Sequence, residues 1–215
     1  MVIGTFNSIN IIGLPGTDVL TDAPGLKSVV FGRKEYVAKT VSPFSGQTQL
    51  FDNQNASWTA NLSLPPMRRW DAEAWQAFIL ELRGGINGFM LGDPLAKSPR
   101  GSGNGVPVVS GANQTGFTLT TRGWAPNQFR LLLYGDAIQI GYRRYRVLQP
   151  VNSDSGGNAT FNIWPNLRDL PADGTPINLA YPRGLFRLAK DSDTWSINPG
   201  LAGYGFSGIT CEEWI

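Results

Sequence analysis

The chain has no histidine. Its absence removes the commonest general base near neutral pH, a frequent metal ligand, and every Ser-His or Cys-His nucleophile arrangement. Cysteine occurs once, at Cys211, which excludes an internal disulfide and a multi-cysteine metal set. Charge is also scarce: Asp, Glu, Lys and Arg make up 16% of the 215 residues, against roughly 25% in typical soluble domains. The net charge is only +2 and no basic run is sustained, so nucleic-acid specificity is not expected. No stretch of about 18 apolar residues occurs, so no membrane span is expected. Residues 1–10 lack the basic segment and apolar core of a signal peptide, which points to folding in a reducing cytoplasm.

A surface short of charge must be covered by Ser, Thr, Asn, Gln, Gly and apolar groups. Such a surface suits lasting association; the plainer alternative is an uncharged polar coat on a β-rich domain. Little reactive chemistry remains. A metal would need carboxylates, and the nearest sets are Asp191 with Asp193, and Asp52 followed by Asn53 and Asn55. Neither completes a calcium loop, and both read as solvated loops. A glycosidase would need two carboxylates. Asp93, Asp136 and Asp173 each stand beside Gly or Pro, where Asp commonly makes local hydrogen bonds. The glycine-rich residues 101–105 have neither Lys-Ser/Thr nor a following helix, so they do not read as a phosphate cradle. Cys211 has no basic neighbour and reads as inert. No catalytic residue, cofactor or metal is assigned, and the chain is not expected to be an enzyme.

What is present is β-prone sequence around one amphipathic helix. The helix is predicted over 71–83, with Asp71 placed to cap it and Ala74, Trp75, Phe78, Ile79 and Leu82 forming a single apolar stripe. Gly84 supplies a left-handed stop. Before it, Val29–Phe31 and Tyr36–Ala38 read as a hairpin turning through residues 32–35. Residues 47–64 read as two strands broken near Asp52-Asn53. Lys97–Gly105 reads as a flexible loop, and beyond it seven short strand signals fall within residues 106–180, separated by turn residues. In Arg143-Arg144-Tyr145-Arg146, alternation puts Arg144 and Arg146 on one face, read as solvated or interfacial.

The fold class expected is mainly β. One domain, residues 1–92 with 186–215, carries the helix. A small β-barrel module, residues 93–185, is inserted into it, because the short terminal strands need a sheet to join. A sequential split near residue 93 is the competing arrangement.

Several motifs resemble tail proteins of long-tailed bacteriophages. They are the run Trp58–Met67, the helix segment Ala74-Trp75-Gln76-Ala77-Phe78, Phe89–Pro94, Gly135–Gly141, and Ile163-Trp164-Pro165 with Leu167-Arg168. The resemblance covers roughly residues 56–197 and is nearest to the distal tail protein. It implies a β-sandwich or split-barrel ring-forming domain with a packed helix, and an inserted barrel of oligonucleotide/oligosaccharide-binding shape. It also implies a homohexameric ring in the virion, joining the tail tube protein to the baseplate or tail-tip hub and anchoring fibres or receptor-binding proteins.

A closed ring repeats one head-to-tail contact, so each subunit needs two different patches. Chain termini and sheet edges can supply them. Val2, Ile3, Phe6, Ile9, Trp214 and Ile215 are the expected interface residues. The rival reading is a carbohydrate-binding adhesion module of the tail tip. Among the seven tryptophans, Trp58 and Trp75 fall in the core by periodicity. Trp124, between Gly123 and Pro126, is expected to be exposed and to touch ligand or partner.

Overall fold

A computed structural model describes residues 2–16, 25–53, 55–201 and 203–215. In it the chain is mainly β, with several sheets and, among the described residues, one α-helix. In order, the elements are β1 (Val2–Phe6), β2 (Ile9–Ile12), β3 (Ser28–Lys34), β4 (Val37–Val41), β5 (Thr48–Asp52), β6 (Ser57–Ser63), α1 (Arg69–Glu81) and β7 (Gly88–Gly92). There follow β8 (Gly105–Val109), β9 (Gly116–Trp124), β10 (Ala137–Ile140), β11 (Arg143–Val147), β12 (Ala159–Leu167) and β13 (Ile177–Asn178). The last are β14 (Arg183–Leu188), β15 (Trp195–Asn198), β16 (Gly203–Phe206) and β17 (Ile209–Glu213).

The chain divides into two compact units. The first holds Met1–Gly32, Trp58–Asp93 and Arg183–Ile215; the second holds Arg33–Ser57 and Pro94–Pro182. Residues 33–57 thus group with the second unit, whereas the sequence pattern puts them in the first.

The first unit is built on a seven-stranded sheet ordered β1-β2-β7-β14-β17-β6-β3. β1–β2, β7–β14, β14–β17 and β17–β6 pair antiparallel, while β2 and β7 run parallel. Between β1 and β2, Asn7 and Ser8 take φ of 47° and 65°. Two consecutive left-handed residues are what a two-residue hairpin loop requires. Helix α1 begins at Arg69, two residues earlier than its pattern suggests. Arg68 is the cap position but makes no side-chain cap bond, so Asp71 lies in the first turn, still favourable at the positive end of the dipole. Ala72, Trp75, Phe78 and Ile79 form the buried face. The helix ends at Leu82, and Gly84 takes the left-handed conformation beyond it.

An aromatic chain carries this packing across the sheet. Trp75 meets Phe78 edge-on at 5.7 Å, and Phe78 meets Phe89 of β7 edge-on at 5.4 Å. Phe89 then neighbours Phe186 of β14, Phe186 neighbours Phe31 of β3, and Phe31 meets Trp58 of β6 edge-on. Such offset and edge contacts add to area burial.

The second unit holds a six-stranded sheet ordered β13-β10-β11-β12-β9-β8. A bridge between Val108 and Pro176, with Val109 N–H donating to the Thr175 carbonyl, draws its ends together into a nearly closed barrel. Closure removes free sheet edges. Leu119, Leu132, Ile138, Val147, Phe161 and Ile163 fill the interior. Residues 131–134 form no strand; Leu132 makes only an isolated bridge to Val151.

The segment read as a flexible loop is anchored. Ser102 and Gly103 donate to the carbonyls of Arg130 and Leu131, and Ala125 donates to that of Asn104. At Gly101 a Cβ would fall 2.2 Å from the Leu131 carbonyl oxygen, so only glycine lets the two backbones approach this closely.

The expected hairpin through residues 32–35 does not form. β3 continues to Lys34 within the large sheet, while β4 pairs with β5 as a separate two-stranded hairpin, Val37 opposite Asp52 and Val41 opposite Thr48.

Candidate interaction surfaces

Among the described residues no three His, Cys, Asp or Glu side chains gather where a metal ion could sit. Cys211 is fully buried in β17, and burial pushes its thiol well above the ordinary range. Of the turn carboxylates considered for hydrolysis, Asp136 and Asp173 are engaged in local hydrogen bonds. Asp136 is buried and accepts from the backbone N–H groups of Arg100, Gly101 and Leu133. Asp173 accepts from both terminal nitrogens of Arg122 and from Gly111 N–H. Asp191 and Asp193 line a cavity of about 250 Å³ beside Arg83 and Trp195, and burial raises the carboxyl of Asp193.

The Arg122 hydrogen bond, with Gly111 N–H, lowers the Asp173 carboxyl to about 2 from an ordinary 3.8. A depressed carboxyl contributes stability that is fully present above its unfolded value and fades as pH falls through the folded one. Asp173→Asn is therefore expected to lower the unfolding midpoint slightly at neutral pH and to flatten its acid limb between 3.8 and about 2, with the two proteins converging below that. Acid titrations of wild type and variant by circular dichroism check this; the pair is exposed, so the effect is small.

Trp124 corrects the expectation placed on it. It ends β9, is 3% exposed, and its indole N–H donates to Thr121 Oγ1 at 2.8 Å. It is a core residue of the barrel and no ligand platform. The arginine cluster is likewise not a solvated face. Arg144 is fully buried, and Arg143 is buried with its Nε 2.8 Å from Asp169. Arg146 turns back to donate to the Gly135 carbonyl.

The expected interface residues separate into two places. Val2 and Ile3 are exposed on β1, an end strand of the large sheet, with Phe6 and Ile9 half-buried at the hairpin turn; Met1 lies outside the described residues. Trp214 and Ile215 follow β17, which is separated from β2 by β7 and β14. Trp214 is held down: its N–H donates to Leu185, and the Arg187 guanidinium lies 5.1 Å from its ring. Ile215 is exposed. The two termini thus do not share one edge.

β1, Val-Ile-Gly-Thr-Phe, pairs with β2 on one side and, among the described residues, with no strand on the other. Free edges are usually protected by charge, proline or a covering element; β1 carries no charge or proline. β3, at the other end of the sheet, does end in Arg33 and Lys34.

Neither a protein-family model nor a curated protein matches this chain.

Two surfaces were not apparent from sequence. In the β4–β5 hairpin all ten strand residues are exposed, among them Val37, Val41, Leu50 and Phe51, and Phe44 at its tip is 99% exposed. A two-stranded hairpin of this kind is marginal alone in water. In the first unit, Trp70 is 88% exposed at the start of α1. Beside it in sequence, Pro66, Met67 and Arg68 line a groove of about 400 Å³ with Tyr204, Ser196 and Asn198. Trp, Tyr, Met and Arg are the residues enriched where proteins bind one another. A signal for the hairpin existed: Ser42-Pro43-Phe44-Ser45-Gly46 is a turn cluster set between two β-prone runs.

Proposed function

We propose that this chain is a structural protein of a phage tail tip: a distal-tail subunit that closes with copies of itself into a ring between the tail tube and the tip hub. Its place is in the virion, and its partners are itself, the tube protein, hub proteins and attached fibres or receptor-binding proteins. The observation that carries this reading is the uncharged β1 edge, which among the described residues pairs with β2 alone. An apolar open edge is a template for a neighbour's strand, and a head-to-tail pairing repeated around an axis gives a closed ring. The exposed apolar hairpin and the low charge content support the same conclusion. No helix among the described residues is long and apolar enough to cross a membrane. The adhesion reading loses its chosen residue, because Trp124 is buried.

Removing residues 1–12 would be a poor test, since Ile11 and Ile12 are buried and β2 pairs with β7 inside the sheet. The double substitution Val2→Lys with Ile3→Lys charges only exposed positions. Wild type is expected to form closed rings in negative-stain images and a single oligomer in light scattering. The variant is expected to remain folded, within about 0.5 kcal/mol of wild type, and to run as a monomer. A wild-type chain that stays solitary at high concentration refutes the proposal.

A further inference from the structure

We infer that the second unit binds an acidic protein segment on an outer face of its barrel, centred on Phe129, Tyr134 and Leu148 and flanked by Arg100 and Arg130. This partner is separate from the neighbouring copy that β1 would pair with, and its binding does not depend on ring closure.

The face is built from three segments held side by side. Leu131 N–H donates to the Val151 carbonyl at 2.8 Å, Val151 N–H to the Leu132 carbonyl at 2.9 Å, and Gly135 N–H to the Val147 carbonyl at 2.8 Å, so residues 129–135 run against 147–152. Ser102 and Gly103 join the same ribbon through the carbonyls of Arg130 and Leu131. Leu131, Leu132, Val147 and Val151 are buried in the barrel core. Phe129, by contrast, is 81% exposed, and Tyr134 and Leu148 are exposed with it. Phe129 and Tyr134 stand five positions apart, which is at most about 17 Å along an extended chain, the span of one loop or short strand.

Charge on the barrel is lopsided. Residues 94–182 hold eight Lys or Arg and four carboxylates. All four carboxylates are engaged within the unit. Asp136 is buried beneath Arg100, and Asp169 and Asp173 pair with Arg143 and Arg122. Asp154 is turned onto its own loop, accepting from the N–H groups of Gly156 and Asn158. Arg100, its side chain 66% exposed, also donates to the Tyr134 carbonyl, while Arg146 donates to that of Gly135. The turn that presents Tyr134 is thus braced on two sides before a partner arrives, and a preorganised group loses little freedom on binding. Arg130 is exposed, its backbone fixed by the bond from its N–H to Asn152 Oδ1 at 2.8 Å.

A surface with more cations than carboxylates repels a basic partner and steers an acidic one. Its centre selects protein over other polyanions. Phe, Tyr and Arg are enriched where proteins meet, and an aromatic centre within a polar rim is the usual anatomy of such a contact. Phe129 and Leu148 offer no hydrogen bonds to sugar hydroxyls, and no sustained basic run is present to follow a phosphate backbone. The matching segment carries Asp or Glu around an aromatic residue.

A fluorescent random copolymer of glutamate and tyrosine is the probe, with polyglutamate and dextran sulfate beside it. In anisotropy titrations the wild-type chain is expected to bind the copolymer at least fivefold more tightly than polyglutamate. Arg130→Glu is expected to weaken copolymer binding at least tenfold, and Tyr134→Ala to remove the copolymer's advantage over polyglutamate. Arg69→Glu makes the same change in net charge on α1 of the first unit, and is expected to leave binding unchanged. All three positions are exposed, so melting curves should match wild type. Equal losses from Arg69→Glu and Arg130→Glu, or no binding of the copolymer, overturn the site. Tighter binding of dextran sulfate than of the copolymer overturns the protein partner in favour of an anionic polysaccharide.

Discussion

Asp136→Ala is expected to destabilise the second unit by about 3–4 kcal/mol. The carboxylate side chain is 3% exposed and serves as a junction. Oδ1 accepts from Arg100 N–H at 3.1 Å and Arg100 Nε at 3.3 Å; Oδ2 accepts from Gly101 N–H at 3.2 Å and Leu133 N–H at 2.8 Å. Its backbone closes the same junction, donating to Leu133 and accepting from Val147. Two segments, residues 100–101 and the turn at Leu133, therefore meet on one side chain, and Val147 meets its backbone. Alanine leaves their donors facing an apolar methyl, and a hydrogen bond to a charged group is worth about 1.5–3 kcal/mol net. Asn is not a mild substitute. Both oxygens face donors, so either orientation of the amide points an N–H at another N–H. Asp136→Asn is expected to cost nearly as much as alanine. Hydrogen exchange checks this, with faster exchange expected at Gly101, Gly103 and Val147 and unchanged protection in the strands of the first unit. Wild-type protection at those amides in Asp136→Ala would show the junction to be dispensable.

That junction also shows what composition can and cannot reveal. An Asp beside a glycine announces a turn, and Asp136 and Asp173 are turn residues; nothing local announces that Asp136 reaches back to residues 100 and 101. The helix was legible because its stripe repeats at 3.6 residues, and the barrel strands because turn residues punctuate them. Misreadings came from glycine. Gly32 looks like a turn, yet it lies in β3, where Thr59 leaves no room for a side chain: a Cβ there would meet Thr59 Oγ1 at 2.5 Å. Gly123 likewise suggests a loop around Trp124. It sits instead within β9, at φ 88°, where a Cβ would strike the Val106 carbonyl at 2.4 Å, and the strand runs on to bury the indole. In both places glycine marks a close neighbour rather than a chain reversal. The burial of Arg144 had no local signal at all, since alternation assigns a residue to a face and not to what covers that face. The candidate interaction surfaces were partly legible. The apolar first strand was visible, whereas the groove depends on residues 66–68 and 196–205 meeting across the fold.

Trp75→Ala is expected to cost the first unit about 3–5 kcal/mol, the range for deleting a large buried aromatic. Trp75 heads the largest fully buried side chains, and it holds one end of the line running through Phe78, Phe89, Phe186 and Phe31 to Trp58. Its removal leaves a cavity under α1 and also deletes the edge-on contact with Phe78, worth about 0.5–1.5 kcal/mol beyond area burial. Because α1 contributes no side-chain cap of its own, packing of this face is its main support. Trp75→Phe keeps an aromatic in place and is expected to cost less than half as much. In urea denaturation the alanine variant should shift the first unit's midpoint downward at unchanged slope, whereas Trp70→Ala, five residues earlier and exposed, should not move it. The contrast bears on function. If both tryptophans proved equally costly to stability, Trp70 would be a packing residue and not an exposed aromatic open to a partner.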